Sequence, residues 1–509
     1  MTARAFGISI EKATDVPIFQ QIADGLSTSI RNGVLPGGAR LPPTRDLADA
    51  LGTHRNTVVR AYEALSSAGF VVSHVGRGTF VTELKDRAAA MGDGRPVAFD
   101  SRVAGLPWAS LMSRTAASES LQRGDRMARR AWPADAINMS RFEPGADLRP
   151  VETFRRCLDH VMRKSGSKAM GYAPREGVEE LRVGIAKELV RRGIPASADD
   201  VLVTAGSQQA IDLLARALVD RGDAFFVEEP TYSGILNLLS AAGARPVGVP
   251  CDDEGPDPDA LARLSRPGVK GFYLMPNGSN PTGRTLSLAR RAALVSWSRS
   301  ASVPLIEDDY GADMYLDAPP PPSLRSLDGE VVYVSTFSKK LAPALRCGFM
   351  VAPRGLHDHL VPLKHAMDLG SSALLQYALA EFMERGYLAA HLARTRAVYR
   401  ERRDALVEAL NQHLPREVMF ERPSSGVLLW LRLPSGTSAE QVFEAAHRYG
   451  VLVSPGSVNS VSGQGAAGVR LAFCTETPER LREGAKRLSR AIEAVLGERR
   501  SRGPSLDLV

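Results

Sequence analysis

Cysteine is scarce. The 509-residue chain holds 4, at Cys157, Cys251, Cys347 and Cys474, and none forms a C-x-x-C pair. That scatter argues against a zinc site or a disulfide framework and suits a reducing compartment, so no metal is expected. Long apolar runs are also missing. Nowhere do about eighteen apolar residues follow one another uninterrupted, so no membrane span is expected. The opening M-T-A-R-A-F-G-I-S-I-E-K lacks the apolar core of a secretory leader. A cytoplasmic protein with no membrane partner is the expectation. Charge is not lopsided either: 64 Lys and Arg against 57 Asp and Glu leave +7, with an isoelectric point near 9.3. This balance permits a polyanionic partner without demanding one. What remains is ordinary globular material, 44% hydrophobic and 24% charged, in a chain long enough for two to four domains.

Residues 1–82 read as a small helical unit ending in a hairpin. Pro17 opens a helix, with Ile18, Ile22, Leu26 and Ile30 at i, i+4 spacing and a stop at Asn32-Gly33. After Pro36-Gly37-Gly38, Thr44 is expected to cap a short helix carrying Leu47 and Leu51 and ended by Gly52. Thr53 is expected to cap a third helix with Val58, Ala61, Tyr62 and Leu65 on its buried face. Arg55, Asn56, Thr57 and Arg60 stay at or near its outward N-terminal side. Two short apolar runs then flank Gly76-Arg77-Gly78, a hairpin with a basic tip. Two helices joined by a tight turn, the second polar and basic at its start, suit a helix-turn-helix in a DNA major groove. The same pattern also fits a helical module with a solvated polar face, since residues 1–82 carry only 8 Lys and Arg against 6 Asp and Glu.

Periodicity fades over residues 83–135, which read as a linker with one short helix near Trp108 to Ser113. From 136 to 500, short apolar strands alternate with helical patterns, and a tail covers 501–509. Alternation of this kind argues for a mostly parallel sheet covered by helices, with ligands beyond the strands' carboxyl ends. Polar residues gather at those ends. Gly206-Ser207-Gln208 open a helix after V-L-V-T, an anion-binding arrangement. Tyr232 offers a stacking face, Asn277 to Gly283 a tight turn presenting Asn280, and Asp308 and Tyr310 a carboxylate and a phenol. Ser335 to Gly348 read S-T-F-S-K-K-L-A-P-A-L-R-C-G, placing Thr336, Ser338, Lys339, Lys340 and Arg346 together. Alone, this stretch fits a solvated basic turn or a Schiff-base lysine beside phosphate-holding hydroxyls and an arginine. Taken together, the strand ends describe pyridoxal 5′-phosphate (PLP).

Two resemblances sharpen these readings. From Pro17 to Val81, G-V-L-P-G-G-A-R-L-P-P-T-R-D-L-A-D-A-L-G, R-N-T-V-V-R-A-Y-E-A-L-S-S-A-G-F and G-R-G-T-F-V closely resemble the winged helix-turn-helix of GntR-type regulators. The resemblance implies contacts to double-stranded DNA from Arg45, Arg55, Asn56, Thr57 and Arg60, and from a wing at Arg77, Gly78 and Thr79. From Asn138 to Leu496, T-x-G-S-Q, N-P-T-G, E-D-D-Y and S-x-F-S-K-x-L-A-P-x-L-R-x-G resemble fold-type I aminotransferases. That likeness makes Lys339, directly after Ser338, the lysine that holds PLP as an aldimine. It gives Asp308 the pyridine nitrogen, Asn280 and Tyr310 the ring hydroxyl, and Ser207, Gln208, Thr336 and Arg346 the phosphate, with Gly206 at the helix entrance. Tyr172 resembles the tyrosine that reaches a partner subunit's phosphate, and Arg470 the arginine that grips a substrate carboxylate. The whole chain is similar to the MocR-type regulators. It is expected to be multidomain: a small α+β winged helix-turn-helix domain and a large α/β fold-type I PLP-dependent transferase domain. A head-to-tail homodimer is implied, with an amine, an amino acid or PLP itself as effector. An active aminotransferase with an accessory DNA-binding domain is the competing expectation.

Overall fold

The computed structural model describes residues 8, 10, 16–74, 77–82, 108–113, 135–264, 267–463 and 467–501. Two compact units, Met1–Pro107 and Trp108–Val509, divide the chain within the stretch read as a linker, most of which lies outside the described residues.

The small unit is built from α1 (Ile18–Arg31), α2 (Thr44–Leu51) and α3 (Arg55–Ser67), followed by the antiparallel strands β1 (Val71–His74) and β2 (Gly78–Val81). Ile22, Leu26 and Ile30 of α1 are buried with Leu47 of α2 and with Val58, Ala61, Tyr62 and Leu65 of α3. Helical spacing therefore puts one apolar stripe per helix into a common core. The helix starts differ from the sequence expectation. Pro17 lies just outside α1. Thr44 is already inside the first turn of α2, because Pro43 holds an extended backbone immediately before it. Its hydroxyl instead accepts from Arg55 Nε at 3.4 Å. Thr53 does not cap α3: His54 does, its Nδ1 accepting the Asn56 N–H at 3.3 Å. Gly52 closes α2 at φ 59°, a left-handed conformation that glycine adopts freely. Val75 and Gly76, at the turn of the hairpin, lie outside the described residues.

In the large unit the short helix falls at Trp108–Leu111, and β3 (Ile137–Asn138) follows. The central sheet takes β4 (Val201–Thr204), β5 (Ala224–Glu229), β6 (Arg245–Asp252), β7 (Gly255–Pro256), β8 (Val269–Leu274), β9 (Leu305–Asp308), β10 (Val332–Thr336) and β11 (Gly348–Val351). Its order is β4-β11-β10-β9-β8-β5-β6-β7. The inner pairs are parallel, while β11 runs antiparallel to both of its neighbours. The seven short apolar runs V-L-V-T, A-F-F-V, R-P-V-G-V, G-F-Y-L-M, V-P-L-I-E, V-V-Y-V-S and G-F-M-V-A, which read as strands between Val201 and Ala352, each supply a strand here. Phe225, Phe226, Phe272 and Tyr273 are fully buried. Residues on both faces of β4, β9 and β10 are buried, as a parallel sheet covered by helices requires. A smaller sheet contains β12 (Leu428–Arg432) and β13 (Gly468–Ala472) as central strands. Among the described residues no helix is long and apolar enough to cross a membrane.

Candidate cofactor and DNA-binding sites

The carboxyl ends of β4, β5, β8, β9 and β10 converge, and the polar residues singled out from sequence sit there. Gly206 ends the turn after β4 at φ 100° and immediately precedes α4 (Ser207–Leu218). No side chain caps that helix, so its first N–H groups face the site with the positive end of the helix dipole. A Cβ at Gly206 would come within 3.3 Å of Arg346 Nη2. Arg346 is held close by donating to Ala205 O at 2.8 Å. Tyr232 donates to Gln208 Oε1 at 3.0 Å, tying the stacking ring to the same helix. Thr336 donates to Ser338 Oγ at 3.0 Å and receives the Ser338 N–H at 3.1 Å. These contacts form one anion-binding corner from three separate strand ends.

The opposite corner is built on Asp308. Its Oδ2 accepts from Tyr273 at 2.7 Å, while its buried Oδ1 has no partner. Burial and the Asp309 charge push the Asp308 carboxyl up to about 7, against the Tyr273 hydrogen bond. The Tyr310 hydroxyl donates to Gly278 O, and its ring meets Phe142 edge-on at 5.3 Å. Arg470 Nη1 reaches Asn280 Oδ1 at 3.2 Å and Nη2 reaches Ser140 O at 2.9 Å, while Nε is buried without a partner.

The two adjacent lysines part company here. Lys340 is 4% exposed and bonded to Asp313 Oδ2 at 2.5 Å. Lys339 points into the site, donating to Phe142 O at 2.6 Å with its nitrogen 4.1 Å from the Phe142 ring centre. Burial lowers its pKa below the usual lysine value, and the charges of Arg470 and Arg346 add to that. An amine so placed gives up its proton more readily than an exposed lysine, and the deprotonated form is the nucleophile.

Tyr172 is not brought into this cluster; it is 84% exposed. Three contributors went unread in the sequence. Tyr273 lies within a strand and looks like core. Phe142 lies in the segment Asn138–Gly145, which crosses the site with its carbonyls on Lys339 and Arg470. Arg192 bonds to Asp309 from 117 residues away.

In the small unit, Arg45, Arg55, Asn56, Arg60 and Arg77 are exposed, and Thr57 is partly so. Arg60 lies 4.1 Å above the Phe19 ring, so its guanidinium rests on α1. Gly78 has φ 106°, and a Cβ there would lie 2.9 Å from Arg40 Nε. Thr79 pairs with Ser73 through their hydroxyls at 2.9 Å.

Residues 18–81 match the gntR family of bacterial regulatory proteins, and residues 140–488 match the class I and II aminotransferases. The probable rhizopine catabolism regulatory protein MocR of Rhizobium meliloti is 33% identical over 494 residues, 96% of each chain. The chain belongs to the MocR-type regulators. This MocR-type chain also matches the 2-aminoadipate transaminase of Thermus thermophilus, at 35% identity over 69% of its own length and 89% of the transaminase. Its large unit is similar to the crystal structure of an α-aminoadipate aminotransferase from T. thermophilus complexed with N-(5′-phosphopyridoxyl)-L-leucine. The TM-score is 0.71 at 32% identity, over 77% of this chain and 100% of that one. The large unit is a fold-type I PLP domain, and the residues present fit the cofactor: an unpartnered buried carboxylate oxygen for a ring N–H, and an uncapped helix start for a phosphate.

Proposed function

We propose that this protein is a ligand-responsive transcriptional regulator whose small unit binds double-stranded DNA and whose large unit, loaded with PLP, reads an amine or amino acid through Lys339. The observation that carries the reading is the pairing, in one chain, of a GntR-type reader with a lysine amine turned into a PLP-shaped site beside Arg470. Bound PLP supplies an aldehyde carbon that reacts with primary amines. Around it, Asp308 would accept the pyridine N–H, Asn280 and Tyr310 would bind the ring hydroxyl, and Tyr232 would stack on the ring. Ser207, Gln208, Thr336, Ser338 and Arg346 would hold the phosphate with the amides after Gly206. Tyr172 serves the partner's phosphate in a head-to-tail dimer. Lys339 presents its amine, and Arg470 forks onto an effector carboxylate.

The fork also explains how occupancy is felt elsewhere. A carboxylate that takes Nε and Nη2 of Arg470 competes with Ser140 O, and any change at Lys339 competes with Phe142 O. Ligand binding therefore loosens the Asn138–Gly145 strap, the segment that continues the connection from the small unit. Differential affinity for two strap positions is what lets an effector bias DNA binding.

The test is binding of the loaded protein to promoter fragments beside its own gene, with and without candidate amines, for the wild type and Lys339→Ala. Specific binding that responds to an amine only when Lys339 is present is the expected result. No specific binding refutes the regulator reading. The complete lysine, carboxylate and arginine set also suits transamination. Many turnovers per site with an amino acid and a keto acid establish the enzyme reading instead.

A further inference from the structure

Asp308 and Lys339, the residues aimed at the cofactor, are each followed by a residue of the same kind, Asp309 and Lys340. The second member of each pair turns away from the site, Asp309 just past the end of β9 and Lys340 in the turn that follows β10. Both second members end in a buried charge network behind it. Four donors converge on the Asp309 carboxylate: Asn277 Nδ2 at 2.8 Å, Ala312 N at 3.2 Å, Tyr333 OH at 2.7 Å and the Arg192 guanidinium. Arg192 also donates to Tyr333 OH at 2.9 Å and lies 3.8 Å from Asp313 Oδ1. Asp313 in turn carries Lys340. Burial opposes ionisation of Asp313, yet the cations Lys340 and Arg192 hold it well below the usual carboxylate range.

The network is positioned to act on Asp308. Asp309 is its chain neighbour, and the Asp309 backbone N–H bonds to Val334 O at 2.8 Å, fixing the end of β9 against β10. Tyr273 from β8 donates to Asp308, Lys339 acts on it from beyond β10, and Glu228, Tyr232 and Tyr310 are the other titratable groups that face it among the described residues. Arg192 pairs with the carboxylate next in chain to Asp308, and its own side chain is 20% exposed at the end of the helix Glu179–Arg191 in a network otherwise sealed.

We propose that Arg192 is a positioning residue for the cofactor: by pairing with Asp309 it offsets the charge beside Asp308 and favours the anionic form of Asp308 that a pyridine N–H would need. This rests on the reading of Asp308 as the partner of that nitrogen. Two carboxylates adjacent in the chain and dry on both sides do not both ionise readily unless one has a cation of its own.

The test measures the dissociation constant of PLP from wild type, Arg192→Met, Asp309→Asn and the double variant, from about pH 6 to about pH 9. Arg192→Met is expected to weaken binding about tenfold near pH 7, the effect of about one unit on Asp308, with the loss shrinking as pH rises. Adding Asp309→Asn is expected to recover affinity to within about threefold, since it removes the charge left unpaired. A loss that is equal at every pH and not recovered overturns the proposal, because a purely structural defect behaves that way. Should Arg192→Met fail to fold, Asp309→Asn alone decides. Its binding should persist to lower pH than in wild type, and an unchanged pH profile overturns the proposal. Wild type that fails to bind PLP overturns the functional reading itself, a separate outcome.

Discussion

At the end of β10 the chain sends Lys340 down onto Asp313 and leaves Lys339 beside Phe142. The two side chains should respond oppositely to removal. Lys340→Met leaves Asp313 buried with a weakened set of cations and should cost about 3–5 kcal/mol of stability, read by thermal melting of the apoprotein. Lys339→Ala should change melting little and abolish covalent retention of PLP, read by mass spectrometry after reductive trapping. Asp308 gives a pH signature. Its carboxyl sits near 7 in the folded apoprotein against an ordinary 3.8. A raised folded value means its contribution to stability is present below 3.8 and is lost as pH climbs towards 7. Asp308→Asn should therefore gain on wild type in apoprotein stability across that window, a result checked by denaturant melts at each pH. Lys339 and Asp308 could be picked out because each stands in a motif of fixed spacing, and Arg470 through the resemblance to aminotransferases; the structure brings all three to one place. Tyr273 and Arg192 were not, since their partners lie 35 and 117 residues away and neither residue interrupts an ordinary strand or helix pattern.

Helix starts hold the contacts proposed for both units, and they were the least legible elements. Hydrophobic spacing gave the buried face of α3 residue for residue, because burial of Val58, Ala61, Tyr62 and Leu65 follows from period alone. The caps did not follow, because Pro43 and His54 compete with the nearby threonines for the turn. His54→Ala should cost about 1 kcal/mol of small-unit stability by freeing the Asn56 N–H. At the same helix start, Arg55→Ala should weaken specific operator binding by about 1–3 kcal/mol, read by titrating a labelled fragment. In the large unit, Gly206→Ala forces φ 100° on a residue with a Cβ and presses it towards Arg346. About 1–3 kcal/mol of strain is expected, with weaker PLP binding, checked by equilibrium dialysis.

Across the whole chain, strand alternation announced the parallel sheet, and all seven apolar runs from Val201 onward became strands. The antiparallel β11 was not announced, because direction is set by how the chain crosses and leaves no mark on a four-residue apolar run. If the small unit grips phosphates, log affinity for an operator should fall linearly with log salt, the slope counting the contacts. Replacing Arg77 should lower that slope by about one contact.

The strap at Asn138–Gly145 bears on the same measurement from the other side. Its carbonyls compete with any ligand for Arg470 and Lys339. A conformational bias of that kind is a reciprocal quantity: the factor by which an effector changes affinity for DNA is the factor by which DNA changes affinity for the effector. The effector's affinity is therefore a property of the promoter-bound protein as much as of the site, and amine titrations with and without an operator fragment would return the same coupling as DNA titrations with and without the amine.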